Sequence, residues 1–174
     1  MIFISNNQNK LNRPDIRPEP DPIDWILEAF AIIGLLIFAG YVIYQYPRIP
    51  GRIPVHFNGA GMADESGDRT NFLMLPGIAL FTYVLLTLIN LVPQRFNFPG
   101  KITPENALRQ YTLAMRLIRY FKLIFTVLFL YICISTVNTA KHTSDGLGIW
   151  FLPVFLSITF LPILIYFILS RRKI

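Results

Sequence analysis

The sequence predicts an all-α integral membrane protein: a four-helix transmembrane bundle with one ordered extracytoplasmic loop and a cytoplasmic interfacial helix. Three observations predict it. Of 174 residues, 53% are hydrophobic and only 15% are charged, against about 25% charged in soluble domains. Four long runs carry no charge: 19 residues between Glu28 and Arg48, 25 between Arg69 and Arg95, 18 between Lys122 and Lys141, and 25 between Asp145 and Arg171. The cations gather between those runs rather than along one continuous face.

A helix rises about 1.5 Å per residue and needs about 20 residues to cross about 30 Å of hydrocarbon. Spans are therefore placed at 26–46, 72–92, 118–138 and 147–170. They form a single membrane domain, residues 25–174, preceded by a Pro-rich cytoplasmic tail, residues 1–24. A buried soluble core is excluded, because almost no polar chain remains to cover four such helices. The first span is too long for a signal-peptide h-region of about 7–15 residues, so it reads as a retained signal-anchor.

In the tail, alternating proline from Arg13 to Pro22 favours an extended, polyproline-like strand. The third span takes in Arg119 and Lys122 at its start, and both are expected to snorkel to the headgroups. Before it, Thr103 suits an N-cap and Pro104 a first helical position. Leu108, Tyr111, Met115 and Ile118 share one side, which predicts an interfacial helix running into span three. Pro153 and Pro162 fall in the fourth span, where kinks are expected and neighbours must satisfy the freed carbonyls.

Sidedness follows from Lys and Arg. Lys10, Arg13, Arg17, Arg95, Lys101, Arg109, Arg116, Arg119, Lys122, Arg171, Arg172 and Lys173 lie on one side, and Arg48, Arg52, Arg69 and Lys141 on the other. Both termini should thus be cytoplasmic, and loop 47–71 extracytoplasmic, in a multi-pass protein of a bacterial inner membrane.

That loop is 25 residues long, and ordered loops of such length are often functional. Ile53, Val55 and Phe57 alternate with Pro54, His56 and Asn58, the pattern of a short strand. Pro54 cannot donate to a ladder, which makes it an edge strand. Asn58–Gly59 and Gly61 supply one turn, and Asp64 and Asp68 are expected to cap turns. A small hairpin cap on the outer surface is the expectation. Candidate ligand-binding residues are Arg48, Arg52, His56, Asn58, Asp64 and Arg69. His56 serves either as a proton sensor or, the preferred reading, as a group that hydrogen-bonds the loop and fixes its shape.

Other chemistry is thin. His56, His142 and the carboxylates Asp64, Glu65 and Asp68 match no zinc or calcium pattern, so no metal and no cofactor are expected. No nucleophile elbow or phosphate-cradling glycine loop occurs, and no catalytic residue is assigned. The net charge of +6 is explained by juxtamembrane anchors, so nucleic acid is not a partner. Cys133 has no second cysteine to pair with. Glu28 is the intramembrane polar candidate, the one acid expected within a span.

The segment IPGRIPVHFNGAGMADESGDR resembles the signature of a membrane family catalogued as domain of unknown function 1648, also found at the front of SdpI-type immunity proteins. Pro50, Ile53, Pro54, His56, Phe57, Asn58, Gly61, Asp64 and Gly67 stand in its pattern, and Arg69 stands where the family usually has lysine. RPDIRP with IDWILEAFAIIG, and RFNFPGKITPENALRQYTLAMRLIRYFK, are also similar, so the resemblance runs from about Arg13 to Tyr131. It implies a bacterial cytoplasmic-membrane protein with the loop outside. It further implies a non-enzymatic role in immunity to, or sensing of, an extracytoplasmic peptide toxin. A small transporter or channel subunit is the alternative. The bilayer, an extracytoplasmic peptide or another membrane protein are the expected partners.

Overall fold

The computed structural model describes residues 13–171. Lys10, Arg172 and Lys173, used in the charge count, lie outside the described residues. Four helices are long and apolar enough to cross a membrane. Helix α1 spans Pro22–Gln45, α2 Met74–Ile89, α3 Ala107–Ala140 and α4 Phe151–Arg171. A two-stranded antiparallel hairpin, β1 Arg52–Phe57 and β2 Ala63–Asp68, joins α1 to α2.

Helix α1 starts four residues before the predicted span. Pro22 is preorganised for the first helical position, and the Asp21 backbone N–H donates to the Asp24 carboxylate at 3.0 Å. Asp24 is therefore part of the helix and not of the tail. The helix ends where Pro47 and Pro50 forbid continuation, through a 3-10 turn at Tyr46–Arg48. A second 3-10 turn, Arg69–Leu73, leads into α2, and α2 stops at Ile89 rather than at 92.

Helix α3 is continuous for 34 residues, about 51 Å at 1.5 Å per residue. The predicted interfacial stretch is simply its first turns. The Thr103 N–H donates to Asn106 Oδ1 at 2.9 Å, and the Thr103 carbonyl accepts from the Ala107 N–H. These bonds close a turn ahead of the helix, whose N-cap is Asn106, so the helix starts at Ala107 and not at the expected Thr103 cap with Pro104 as first residue. At the far end His142 adopts φ 57°. The Thr143 N–H reaches the Asn138 carbonyl and the His142 N–H that of Thr139, the Schellman pattern that ends a helix.

Helix α3 is also central, packing on α1, α2, α4 and β1. Several of its buried residues are small: Ala107, Ala114, Thr126, Cys133, Ser135 and Thr136. Small residues let backbones approach in lipid, where no hydrophobic force drives helices together. Against Thr126 stands Gly34 of α1; a Cβ there would lie 3.0 Å from Thr126 Cγ2.

Helix α4 begins at Phe151, so Pro153 sits in its first turn, where a missing N–H costs little. Pro162 lies inside the helix. It leaves the Ile158 carbonyl without its helical donor, and the Tyr120 hydroxyl supplies one at 2.9 Å. At the C-terminal end, Arg109 and Gln110 side chains donate to the Leu169 and Ser170 carbonyls.

Large apolar side chains face outward along every helix, including Phe30, Leu36, Ile43, Phe81 and Leu164. A soluble monomer rarely exposes such continuous apolar surface; here lipid covers it. Trp25, at the start of α1, and Trp150, just before α4, are 63% and 75% exposed. They mark the two interfaces. The hairpin and the 141–150 loop share one end of the bundle. The tail, the 90–106 loop and the end of α4 share the other.

Candidate functional site

At the end of the bundle that carries the 141–150 loop, the signature residues build the hairpin. Ile53 is buried with Ile49, Phe72, Phe38, Val42, Cys133 and Val137, which seats β1 on the bundle. The predicted alternation holds only in part. Register shifts on either side of His56 leave both Ile53 and Pro54 buried and Val55 exposed. Such an irregularity turns side chains out of the strict period of two.

Each signature residue has a physical task. Asn58 Oδ1 accepts from the Ala60 and Met62 N–H groups at 3.0 and 3.1 Å, closing the turn locally. Gly61 has φ 79°, and a Cβ there would sit 2.5 Å from the Gly148 carbonyl oxygen. Its own carbonyl accepts from the Leu147 N–H at 2.7 Å, so the hairpin tip is tied to the loop before α4. Gly67 leaves room for Val55, whose Cγ1 would meet a Cβ at 2.8 Å.

His56 Nδ1 lies 2.5 Å from Asp64 Oδ1 across the strands. Asp64 is thus the partner of His56 and not a turn cap, because the bulge brings the two side chains to the same face. Asp68 does cap a turn. It accepts from the Thr70 N–H at 2.8 Å and hydroxyl at 2.7 Å, bonds that hold its carboxyl below the usual carboxylate range.

Among the other candidate ligand residues, Arg48 stacks on the Tyr44 ring and donates to the Tyr44 carbonyl. Arg52 donates to the Ser66 carbonyl at 3.0 Å. Arg69 stands 5.5 Å from the Tyr46 ring centre. All six candidate ligand residues thus cluster on the hairpin and its approaches. Beneath, an apolar groove of about 360 Å³ is lined by residues of β1, α2 and α3, with Phe57, Phe72 and Ile132 among them.

The opposite end holds a polar cluster that sequence reasoning missed. Arg119 and Lys122 do not snorkel outward. They turn into the bundle, and their side chains are 11% and 2% exposed. Arg116 Nε and Arg119 Nη1 stand 3.0 and 3.2 Å from Asp24 Oδ1, and Arg116 also reaches Asp21 at 2.5 Å. Lys122 Nζ pairs with Glu28 Oε1, donates to the Thr87 hydroxyl at 3.1 Å and lies over the Tyr83 ring. The Tyr83 hydroxyl donates to the same Glu28 oxygen at 2.6 Å. Inward acids are available to these cations, so pairing outweighs a long reach to the headgroups.

A cleft of about 210 Å³ opens beside this cluster, walled by Arg17, Asp24, Glu28, Asn90, Arg119 and Lys122 among others. Asn90 is 7% exposed, and its Oδ1 has no hydrogen-bond partner among the described residues. A buried acceptor left so costs about 1–3 kcal/mol. Nearer the hairpin, the bundle is filled by the apolar cluster of Phe38, Phe72, Cys133 and Val137.

Comparison with known proteins assigns the hairpin half. Residues 32–80 match the family model described as domain of unknown function (DUF1648). The resemblance drawn from the His-Phe-Asn loop is therefore shown over that segment, which holds the whole hairpin and leaves Glu28, Asn90, Arg119 and Lys122 outside. A protein of Archaeoglobus fulgidus, described as an uncharacterized protein, is 32% identical over 88 residues. The aligned stretch covers 42% of this chain and 48% of that relative, so the chain spans about half the length of the relative it matches. No solved structure matches.

Proposed function

We propose that this multi-pass membrane protein is a non-enzymatic receptor that recognises an amphipathic peptide at the outer membrane surface through its hairpin. One observation carries the reading: an ordered polar hairpin lies directly over an apolar groove of about 360 Å³. Arg52, His56, Asp64 and Arg69 offer charge above, while Val55, Phe57, Met74 and Ile78 offer apolar surface below. An amphipathic helix lying in the interface presents those two faces. The excess of Lys and Arg at the other end supports a cytoplasmic placement of both termini, and so an extracytoplasmic hairpin in a bacterial inner membrane. Immunity to, or sensing of, a secreted peptide toxin is the role that fits.

The test is resistance. The chain is expressed in a peptide-sensitive host and compared with His56→Ala and Asp64→Ala across a toxin panel. Protection by the native chain that either substitution reduces supports the reading. Unchanged sensitivity throughout the panel overturns it.

A small transporter or channel subunit is the second reading, favoured by the acids Asp24 and Glu28 inside the bundle. The apolar cluster between cleft and hairpin weighs against an open pore. Proton or ion flux in liposomes that Glu28→Gln abolishes would establish it, and silence would remove it.

A further inference from the structure

We propose that the cleft at the end opposite the hairpin binds a zwitterionic headgroup carrying both a phosphate and a primary ammonium. The argument starts from which polar groups remain unused. Asp24 is fully engaged by Arg116, Arg119 and the Asp21 N–H. Lys122 is satisfied by Glu28, Thr87 and the Tyr83 ring.

Two acceptors are left over. Glu28 takes both of its bonds on Oε1, so its Oε2 remains without a hydrogen bond among the described residues. Asn90 Oδ1 is buried and unpartnered. An ammonium supplies three N–H donors in a compact group, which suits two acceptors on one wall. Two donors are left over as well. Arg17 stands at the mouth, and Arg119 meets Asp24 through Nη1 alone, the rest of its fork having no partner among the described residues. A guanidinium fork matches phosphate geometry.

The position suits a headgroup. Trp25, an interfacial residue, and Leu91 line the cleft and are both exposed on the lipid-facing surface. The space therefore opens to lipid as well as to water. Its volume of about 210 Å³ exceeds what one water requires, about 10–15 Å³, many times over. A headgroup of opposite charges also leaves the cleft's balance of cations and acids undisturbed. A bare anion would face Asp24 and Glu28. The inference stands apart from the peptide-receptor reading, which concerns the other end of the bundle.

Native mass spectrometry of the purified full-length chain in detergent tests it, with phosphatidylethanolamine, its N-methylated series, phosphatidylcholine and phosphatidylglycerol added in turn. Phosphatidylethanolamine should be retained about tenfold better than phosphatidylcholine, whose quaternary nitrogen has no N–H to donate. Asn90→Leu and Arg17→Gln should each weaken retention by about the same factor. Arg17 lies at the exposed mouth, so its variant keeps the test valid if Asn90→Leu misfolds. Soluble phosphoethanolamine distinguishes the source: displacement of lipid at millimolar levels assigns a free small molecule, and failure to displace assigns the lipid. Equal retention of phosphatidylcholine or phosphatidylglycerol overturns the proposal, as does undiminished retention by folded Arg17→Gln.

Discussion

The pair Glu28–Lys122 can be dissected by a double-mutant cycle, and the structure predicts its asymmetry. The Lys122 side chain is 2% exposed and that of Glu28 21%. Glu28→Gln keeps shape and a hydrogen-bond acceptor for Tyr83, but leaves a sealed ammonium without its counter-charge. Breaking a buried pair in this way costs about 3–5 kcal/mol. Lys122→Met leaves the acid instead, and Glu28 borders the cleft, where water can solvate it. The loss should then be about 1–2 kcal/mol, mainly the contact with Thr87 and the Tyr83 ring. The double variant buries no lone charge and should resemble Lys122→Met, giving a coupling of about 3–5 kcal/mol, the whole cost of Glu28→Gln. Reversible unfolding in mixed micelles, followed by fluorescence of Trp25 and Trp150, reads all four corners. An ordinary interhelical hydrogen bond in a membrane couples by about 0.6 kcal/mol. A measured value at or below that figure would refute the claim that these charges pair inside the bundle, as would a costlier Lys122→Met than Glu28→Gln.

Three further outcomes follow from the geometry. Tyr120→Phe removes the donor to the Ile158 carbonyl and should cost about 1 kcal/mol; on a Pro162→Ala background the restored N–H makes the same change nearly silent in the unfolding assay. Gly146→Ala places a Cβ 2.0 Å from the Gly61 carbonyl oxygen, so the hairpin tip should part from the 141–150 loop and proteolysis at 58–62 should accelerate several-fold. The Asp68 carboxyl is held low by Thr70, so its contribution is present above the ordinary carboxylate pKa of about 3.9 and is lost as pH falls through the folded value. Amide exchange at Thr70 should therefore quicken below about pH 4, and Asp68→Asn should flatten that dependence.

The spans were legible because lipid imposes a one-dimensional rule: an uncharged run of the right length has few other fates. The hairpin was legible because Pro54, Asn58–Gly59 and Gly61 are local punctuation. Asp64 was misread as a cap because its true partner, His56, is eight residues away and reaches it only through a bulge that no local pattern announces. The inner cluster was missed for a different reason. Arg119 and Lys122 near a span's end look alike whether they snorkel or turn inward, and only tertiary context decides.

A signal for that context was nonetheless present. First and third spans of a four-span chain run in the same direction. Asp21 at the α1 N-cap and Asp24 and Glu28 within α1 recur at helical spacing, and Arg116, Arg119 and Lys122 recur along α3 in the same order. Laid parallel, the two stripes meet pair by pair: Asp21 and Asp24 with Arg116, Asp24 with Arg119, Glu28 with Lys122. Lipid tails are as apolar as leucine, so packing alone discriminates weakly among sliding positions of two helices. Opposed charges at three successive levels do discriminate, since a slide of one turn would pair Glu28 with Arg119 and leave Lys122 buried alone. At the hairpin end Lys141 of the α3 C-cap donates to Gln45 of α1 at 2.8 Å, a second pin on the same register. The hairpin begins seven residues after Gln45 and rests Ile53 against the α1–α3 core. The register that seats the hairpin is therefore shared with the charges at the far end, and releasing Lys122 from Glu28 should speed proteolysis within residues 52–68 before the bundle unfolds.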